Sequence, residues 1–179
     1  MPMYFQPNDL MFQAQGSAAA IGGVKTQVIQ MAFRVKGAEE ISRTNKIEIG
    51  EIVMTTIGLG GLYTGGVSAT YEALFDSVDA LADEETEVMT VINKMSLSPR
   101  FRSYELTRDV VTFAIRHYAP ETDLLIVNAV AELQEYLLRC GFSAIENRNY
   151  VAINRRIKPL ISDYDARYLS SMGNTFKPQ

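Results

Sequence analysis

Short apolar runs alternate with amphipathic stretches over residues 88–155, and this alternation constrains the fold more than any other feature of the chain. Residues 88–97 read as a strand, with Val88, Thr90, Ile92 and Lys94 on one side and Met89, Val91 and Met95 on the other. Pro99 ends it, because proline has no N–H to give to a ladder. Over 106–118, Leu106, Val110, Phe113 and Ala114 form one helical stripe, with Val111 and Ile115 beside it, and Pro120 stops the helix. Asp-Leu-Leu-Ile-Val at 123–127 predicts a short buried strand. A second helix over 131–140 turns Leu133, Tyr136, Leu137 and Cys140 inward, and Gly141 stands where a C-terminal cap is expected. Tyr150-Val151-Ala152-Ile153-Asn154 reads as a closing strand. Strand, helix, strand, helix, strand predicts an α/β (α+β) fold with a mixed central sheet flanked by helices.

The N-terminal part is less regular. Residues 1–23 hold Pro2, Pro7, Gly16, Gly22 and Gly23, scattered aromatics at Tyr4, Phe5 and Phe12, and no basic residue. Such a segment is too broken for a long helix and too apolar for a solvated tail, so residues 1–25 are expected to form an irregular N-terminal arm packed on its own domain or a neighbour. From 26 to about 42, Val28, Ile29, Ala32, Phe33 and Val35 recur with helical spacing until Gly37 interrupts. Lys46-Ile47-Glu48-Ile49-Gly50-Glu51-Ile52 alternates and then runs apolar through Ile57, a strand signal.

Gly58, Gly60, Gly61, Gly65 and Gly66 precede a helix expected over 68–81. Backbone N–H groups of a glycine-rich loop at a helix start can hold phosphate. This loop lacks the terminal Gly-Lys-Ser/Thr of a P-loop and the spacing of a dinucleotide fingerprint. A flexible turn and a phosphate site therefore both stay open there. The acidic run at 83–87 reads as an exposed turn, and residues 162–179 as a tail with one short helix at 164–170. With 179 residues, the division is an arm at 1–25, one domain at 26–161 and a tail at 162–179.

Composition narrows the chemistry. A formal net charge of −4 supplies no global positive field for nucleic acid, and the arginines between Arg100 and Arg139 are interleaved with acids. Cys140 is the only cysteine and sits among apolar neighbours, so it reads as a buried structural thiol. His117 is the only histidine, which leaves little material for nucleophilic triads or zinc clusters. No apolar run approaches the ~20 residues of a bilayer span, and no basic segment precedes an apolar one at the N-terminus. A reducing, cytoplasmic location is expected.

The helix-terminal phrase Tyr136-Leu137-Leu138-Arg139-Cys140-Gly141-Phe142, with strands before and after it, resembles the C-terminal half of the GNAT acetyltransferase fold. The resemblance covers roughly residues 88–157; Tyr4-Phe5-Gln6-Pro7-Asn8-Asp9-Leu10 is faintly similar to the family's opening strand and helix. It implies acetyl-CoA as cofactor, with the pyrophosphate on N–H groups at the start of the helix after the fourth strand. The family's Gln/Arg-x-x-Gly-x-Gly/Ala signature falls on Arg100-Phe101-Arg102-Ser103-Tyr104-Glu105, so the implied cofactor-binding residues are Arg100, Arg102, Ser103 and Tyr104. Arg100 matches; Ser103 and Glu105 stand where small residues belong, and Glu105 brings negative charge to a helix start meant for a diphosphate.

The family also places a tyrosine four residues before the glycine to protonate the departing thiolate. That position is Leu137, and Tyr136, the implied catalytic residue, lies one residue or about 100° off. Asn128 falls two residues ahead of a family asparagine. Two expectations follow from the resemblance. One is a non-catalytic GNAT-like structural or interaction protein with no cofactor, of the kind found among tailed-phage virion and early proteins, self-assembling or gripping a protein partner through residues 1–25 in the host cytoplasm or virion. The other is an N-acetyltransferase moving acetyl from acetyl-CoA to an amine.

Overall fold

The computed structural model describes residues 10–21, 24–35, 46–62, 69–99, 104–145, 150–154 and 177–178. The elements in chain order are β1 (Leu10–Ile21), β2 (Val24–Val35), β3 (Lys46–Gly58), the single turn α1 (Leu59–Leu62), α2 (Ala69–Asp76), a 3-10 turn (Asp79–Leu81), β4 (Val88–Leu97), α3 (Tyr104–Tyr118), β5 (Leu124–Asn128), α4 (Ala131–Arg139), β6 (Ser143–Ala144), β7 (Tyr150–Asn154) and β8 (Lys177–Pro178). The strands build one mixed sheet in the spatial order β6-β7-β5-β4-β3-β2-β1-β8. The α+β class expected from the sequence is what the chain adopts.

Residues 88–154 fold much as their periodicity predicts. β4 and β5 run parallel, with α3 crossing between them; β7 returns antiparallel to β5 and pairs with β6. Gly141 takes a φ of 101°, and its N–H bonds to the Leu138 carbonyl, closing α4 as the glycine predicts. β5 is buried on both faces: Leu125 and Val127 point to one apolar cluster, Leu124 and Ile126 to another. That is why its sequence is a continuous apolar run rather than an alternation.

The N-terminal part departs from expectation. Residues 24–35 form strand β2 rather than a helix, and Leu10–Ile21 form strand β1, paired antiparallel with β2 along its whole length. The reason lies in Gln27, Ile29 and Met31, which alternate onto a buried face, while Thr26 and Gln30 face outward. Period two wins because this face has a sheet partner and two helices above it. Residues 1–9 and the short helix expected at 164–170 lie outside the described residues.

Two clusters of apolar side chains sandwich the sheet. The larger joins Ile29, Met31, Ile52, Met54 and Ile92 of the sheet to Val110, Phe113 and Ala114 of α3 and Leu133 and Leu137 of α4. The smaller seats Leu74 and Val78 against Ile57, Met89, Val91, Leu124 and Ile126, with Tyr71 and Phe75 at its margin. The α2 side therefore covers only one end of its face. Toward β1 and the far end of β4 that face carries Ser17, Gln30, Glu48, Lys94 and Ser96, all exposed.

One assignment within β4 changes. Met95 was expected to share a side with Met89 and Val91, but it joins Ile92 and Leu97 in the larger cluster. The β3–β4 register skips between Val53↔Lys94 and Met54↔Ile92, so Asn93 is an extra residue, and the bulge reverses the alternation after it.

Candidate functional site at the β4 bulge

β4 pairs with β5 at only four positions, from Met89↔Leu124 to Ile92↔Val127. Toward β3 its pairing continues to Leu97. The pairing between the two parallel strands thus ends where the bulge begins. From Asn93 onward, the β4 edge that faces β5 has no strand partner among the described residues.

Asn93 directly follows the last β4 residue paired with β5 and anchors a polar cluster. Its Nδ2 donates to Thr55 Oγ1 at 2.7 Å. The Tyr71 hydroxyl, reaching over from α2, donates toward Thr55 Oγ1 at 3.3 Å and lies 3.4 Å from Asn93 Oδ1. Thr26 Oγ1 stands 3.5 Å from Thr55 Oγ1 on the next strand. Farther along, Glu51 accepts from Gln30 Nε2 at 3.4 Å and pairs with Lys94 Nζ at 3.5 Å. With 62% of the Lys94 side chain exposed, water screens that pair, and it contributes little to stability.

A cavity of about 220 Å³ opens over Gln30, Met31, Glu48, Gly50, Glu51, Lys94 and Ser96. A smaller one of about 150 Å³ lies over Gly16, Ser17, Val28 and Gln30. Gln30 borders both, so the open face is a polar shelf across β1 to β4.

The residues implied by the resemblance are placed differently. Tyr136 is half-buried on α4 and packs against the larger cluster, in which Leu137 is fully buried. Tyr104 is the first residue of α3, and Glu105 is therefore the second. Arg100, Arg102 and Ser103 lie outside the described residues. Asn128 ends β5 opposite Tyr150.

Acetyl-CoA fits this arrangement poorly at one point. A carboxylate at the second position of α3 stabilises the helix dipole but repels a diphosphate on the same N–H groups.

Cys140, expected to be buried, is only half-buried; it packs on the larger cluster, and its N–H bonds to the carbonyls of Leu137 and Tyr136. His117 is exposed on α3, with its ring 4.8 Å from that of Phe113. Of the glycine-rich segment, Gly58 and Gly60 have open space around them, so nothing there demands glycine, and residues 63–68 lie outside the described residues. Among the described residues no three His, Cys, Asp or Glu side chains gather closely enough to hold a metal ion. No described helix is long and apolar enough to cross a membrane.

Sequence reading missed the Tyr71, Thr55 and Asn93 cluster. These residues are 16 to 38 positions apart, and only the β3–β4 register and the seat of α2 bring them together. The one local signal is the adjacent polar pair Asn93-Lys94, which interrupts the alternation of the strand. Compared with known proteins, the chain matches no family model and no curated sequence.

Proposed function

We propose that the chain is a GNAT-like structural or interaction protein that does not transfer acetyl groups, acting in the cytoplasm or, if it is of the phage kind, in the virion. The likeness is supported by the parallel β4–β5 pair, crossed over by α3, whose pairing ends at Ile92 and Val127. The observation that carries the non-catalytic part is the fully buried Leu137 at the position of the family's general acid, with Tyr136 packed beside it on the core. A general acid must give a proton to the leaving group, and leucine has none to give. Glu105 at the start of α3 points the same way, by opposing a diphosphate. Calorimetric titration of the full chain with acetyl-CoA and with CoA tests this reading. No binding heat and no thermal shift are expected; saturable heat together with release of free thiol in the presence of amines overturns it.

The second reading, an N-acetyltransferase acting on an amine, is favoured by one observation. The β4–β5 pairing ends beside a cluster in which Tyr71 offers a hydroxyl. The same titration separates the two.

A further inference from the structure

We infer that β1 is a dimerisation edge, at which residues 15–21 of two copies pair antiparallel about a two-fold axis to make one continuous sheet. The inference takes its purpose from the interaction reading above, but its geometry is independent of any GNAT likeness.

β1 is twelve residues long and pairs with β2 from Leu10↔Val35 to Ile21↔Val24 without a register shift. Among the described residues its other edge meets only β8, at Gln13↔Lys177 and Ala14↔Pro178. Residues 15–21 therefore present an outward ladder of N–H and C=O groups with no strand partner among the described residues. That β8 joins the same edge shows that it accepts an added strand.

Exposed edges are usually guarded by charge, proline, a bulge or brevity. The opposite edge of the sheet is guarded by brevity, since β6 has two residues. β1 carries none of these devices: its sequence, LMFQAQGSAAAI, has no charged residue and no proline, and its ladder is regular. The side chains from Gly16 to Ala20 are exposed and small, so nothing holds an incoming strand away on either side.

A second copy suits this edge better than a foreign peptide. β8 lies across the edge at Gln13 and Ala14, which leaves a free segment of seven residues spanning roughly 24 Å. Folded about Ala18, the segment matches itself: Gly16 faces Ala20, Ser17 faces Ala19, and Gln15 faces Ile21. An isologous contact satisfies both edges at once. The chain carries a net charge of −4, and two such chains meet with least repulsion along an uncharged edge.

The test is the mass of the full chain in solution by sedimentation and light scattering. The wild-type chain is expected at twice its monomer mass. Ala18→Lys places two ammonium groups opposite each other at the axis, and Ala18→Glu two carboxylates, so each variant alone is expected to be monomeric. An equimolar mixture of the two is expected to recover the dimer, which also shows that both variants fold. A wild-type monomer at the highest soluble concentration overturns the inference, as do dimeric single variants, a mixture that stays monomeric, or masses growing beyond the dimer. Adding acetyl-CoA and an amine to the same samples keeps the questions apart: a dimer that binds acetyl-CoA and releases free thiol overturns the proposed function and leaves this inference standing.

Discussion

Gly50 of β3 lies so close to Ser96 of β4 that any side chain at Gly50 would collide with the Ser96 carbonyl oxygen. The obstacle is backbone within a paired ladder, so it yields only if the strands move apart. Gly50→Ala is expected to lower unfolding stability by about 3 kcal/mol, at the upper end for overpacking. At Gly16 the obstacle is the ring of Tyr118, which can tilt, and Gly16→Ala is expected to cost nearer 1 kcal/mol. Gly58 has open space where a methyl would go, so Gly58→Ala serves as the neutral control. Urea denaturation of the three variants checks the order; equal losses at Gly50 and Gly58 would show that the strands do not approach as described.

A relay of three buried hydroxyls joins β3, β4 and the turn before β5. Thr122 donates to the Ala119 carbonyl at 2.8 Å, so it must accept from Thr90 at 2.6 Å, and Thr90 in turn accepts from Thr56 at 3.2 Å. Each hydroxyl has one proton to give, which fixes the direction of the chain. Thr90→Val keeps the shape and strands the Thr56 proton in a dry site, at an expected cost of about 2 kcal/mol. Thr90→Ser retains the relay and loses one methyl, about 1 kcal/mol. Thermal unfolding of both variants decides; a valine variant as stable as the serine one would mean the relay contributes nothing.

The legible and illegible parts of this chain differ for physical reasons. Around Val110 and Leu137 the helical stripes are bounded by Pro99, Pro120 and Gly141, and local rules suffice. In β2, Val28, Ile29, Ala32 and Phe33 fit a helical spacing, and only pairing with both neighbours reveals that Gln27, Ile29 and Met31 share the buried face. The β1 segment is rich in alanine, glycine and serine, residues with little strand preference of their own, so its conformation comes from pairing with β2. The bulge at Asn93 leaves no periodic trace, which is why Met95 was expected on the wrong side. The candidate site depends on that bulge and was hidden with it.

Tyr71 is expected to matter more for what the site binds than for holding the fold together. Its contacts with Thr55 and Asn93, at 3.3 and 3.4 Å, are long, whereas Asn93 donates to Thr55 at 2.7 Å. Tyr71→Phe should therefore cost under about 1 kcal/mol, and Asn93→Ala about 1–2 kcal/mol. A double-mutant cycle between them should give a coupling of about 0.5 kcal/mol, because the residues share Thr55. Strict additivity in chemical denaturation would remove the cluster as a unit.

His117 and Tyr118, adjacent at the end of α3, make the stability of the chain depend on pH in opposite senses. Partial burial against Phe113, and secondarily the neighbouring Arg116 charge, hold the His117 pKa below its ordinary 6.5. The folded chain thus takes up that proton less readily than the unfolded one. The contribution is complete above pH 6.5 and is lost as pH falls toward the lowered folded value. Tyr118 behaves in the opposite sense: burial raises its pKa above 10.0, so its contribution is complete below pH 10 and is lost as pH climbs through the raised value. His117 is the only histidine, so a single imidazole signal followed by NMR reports its titration without assignment. A midpoint below 6.5 is expected, moving upward in Arg116→Gln as a positive neighbour is removed. A wild-type midpoint at or above 6.5 would mean that the imidazole is fully solvated and that α3 ends differently from the packing described.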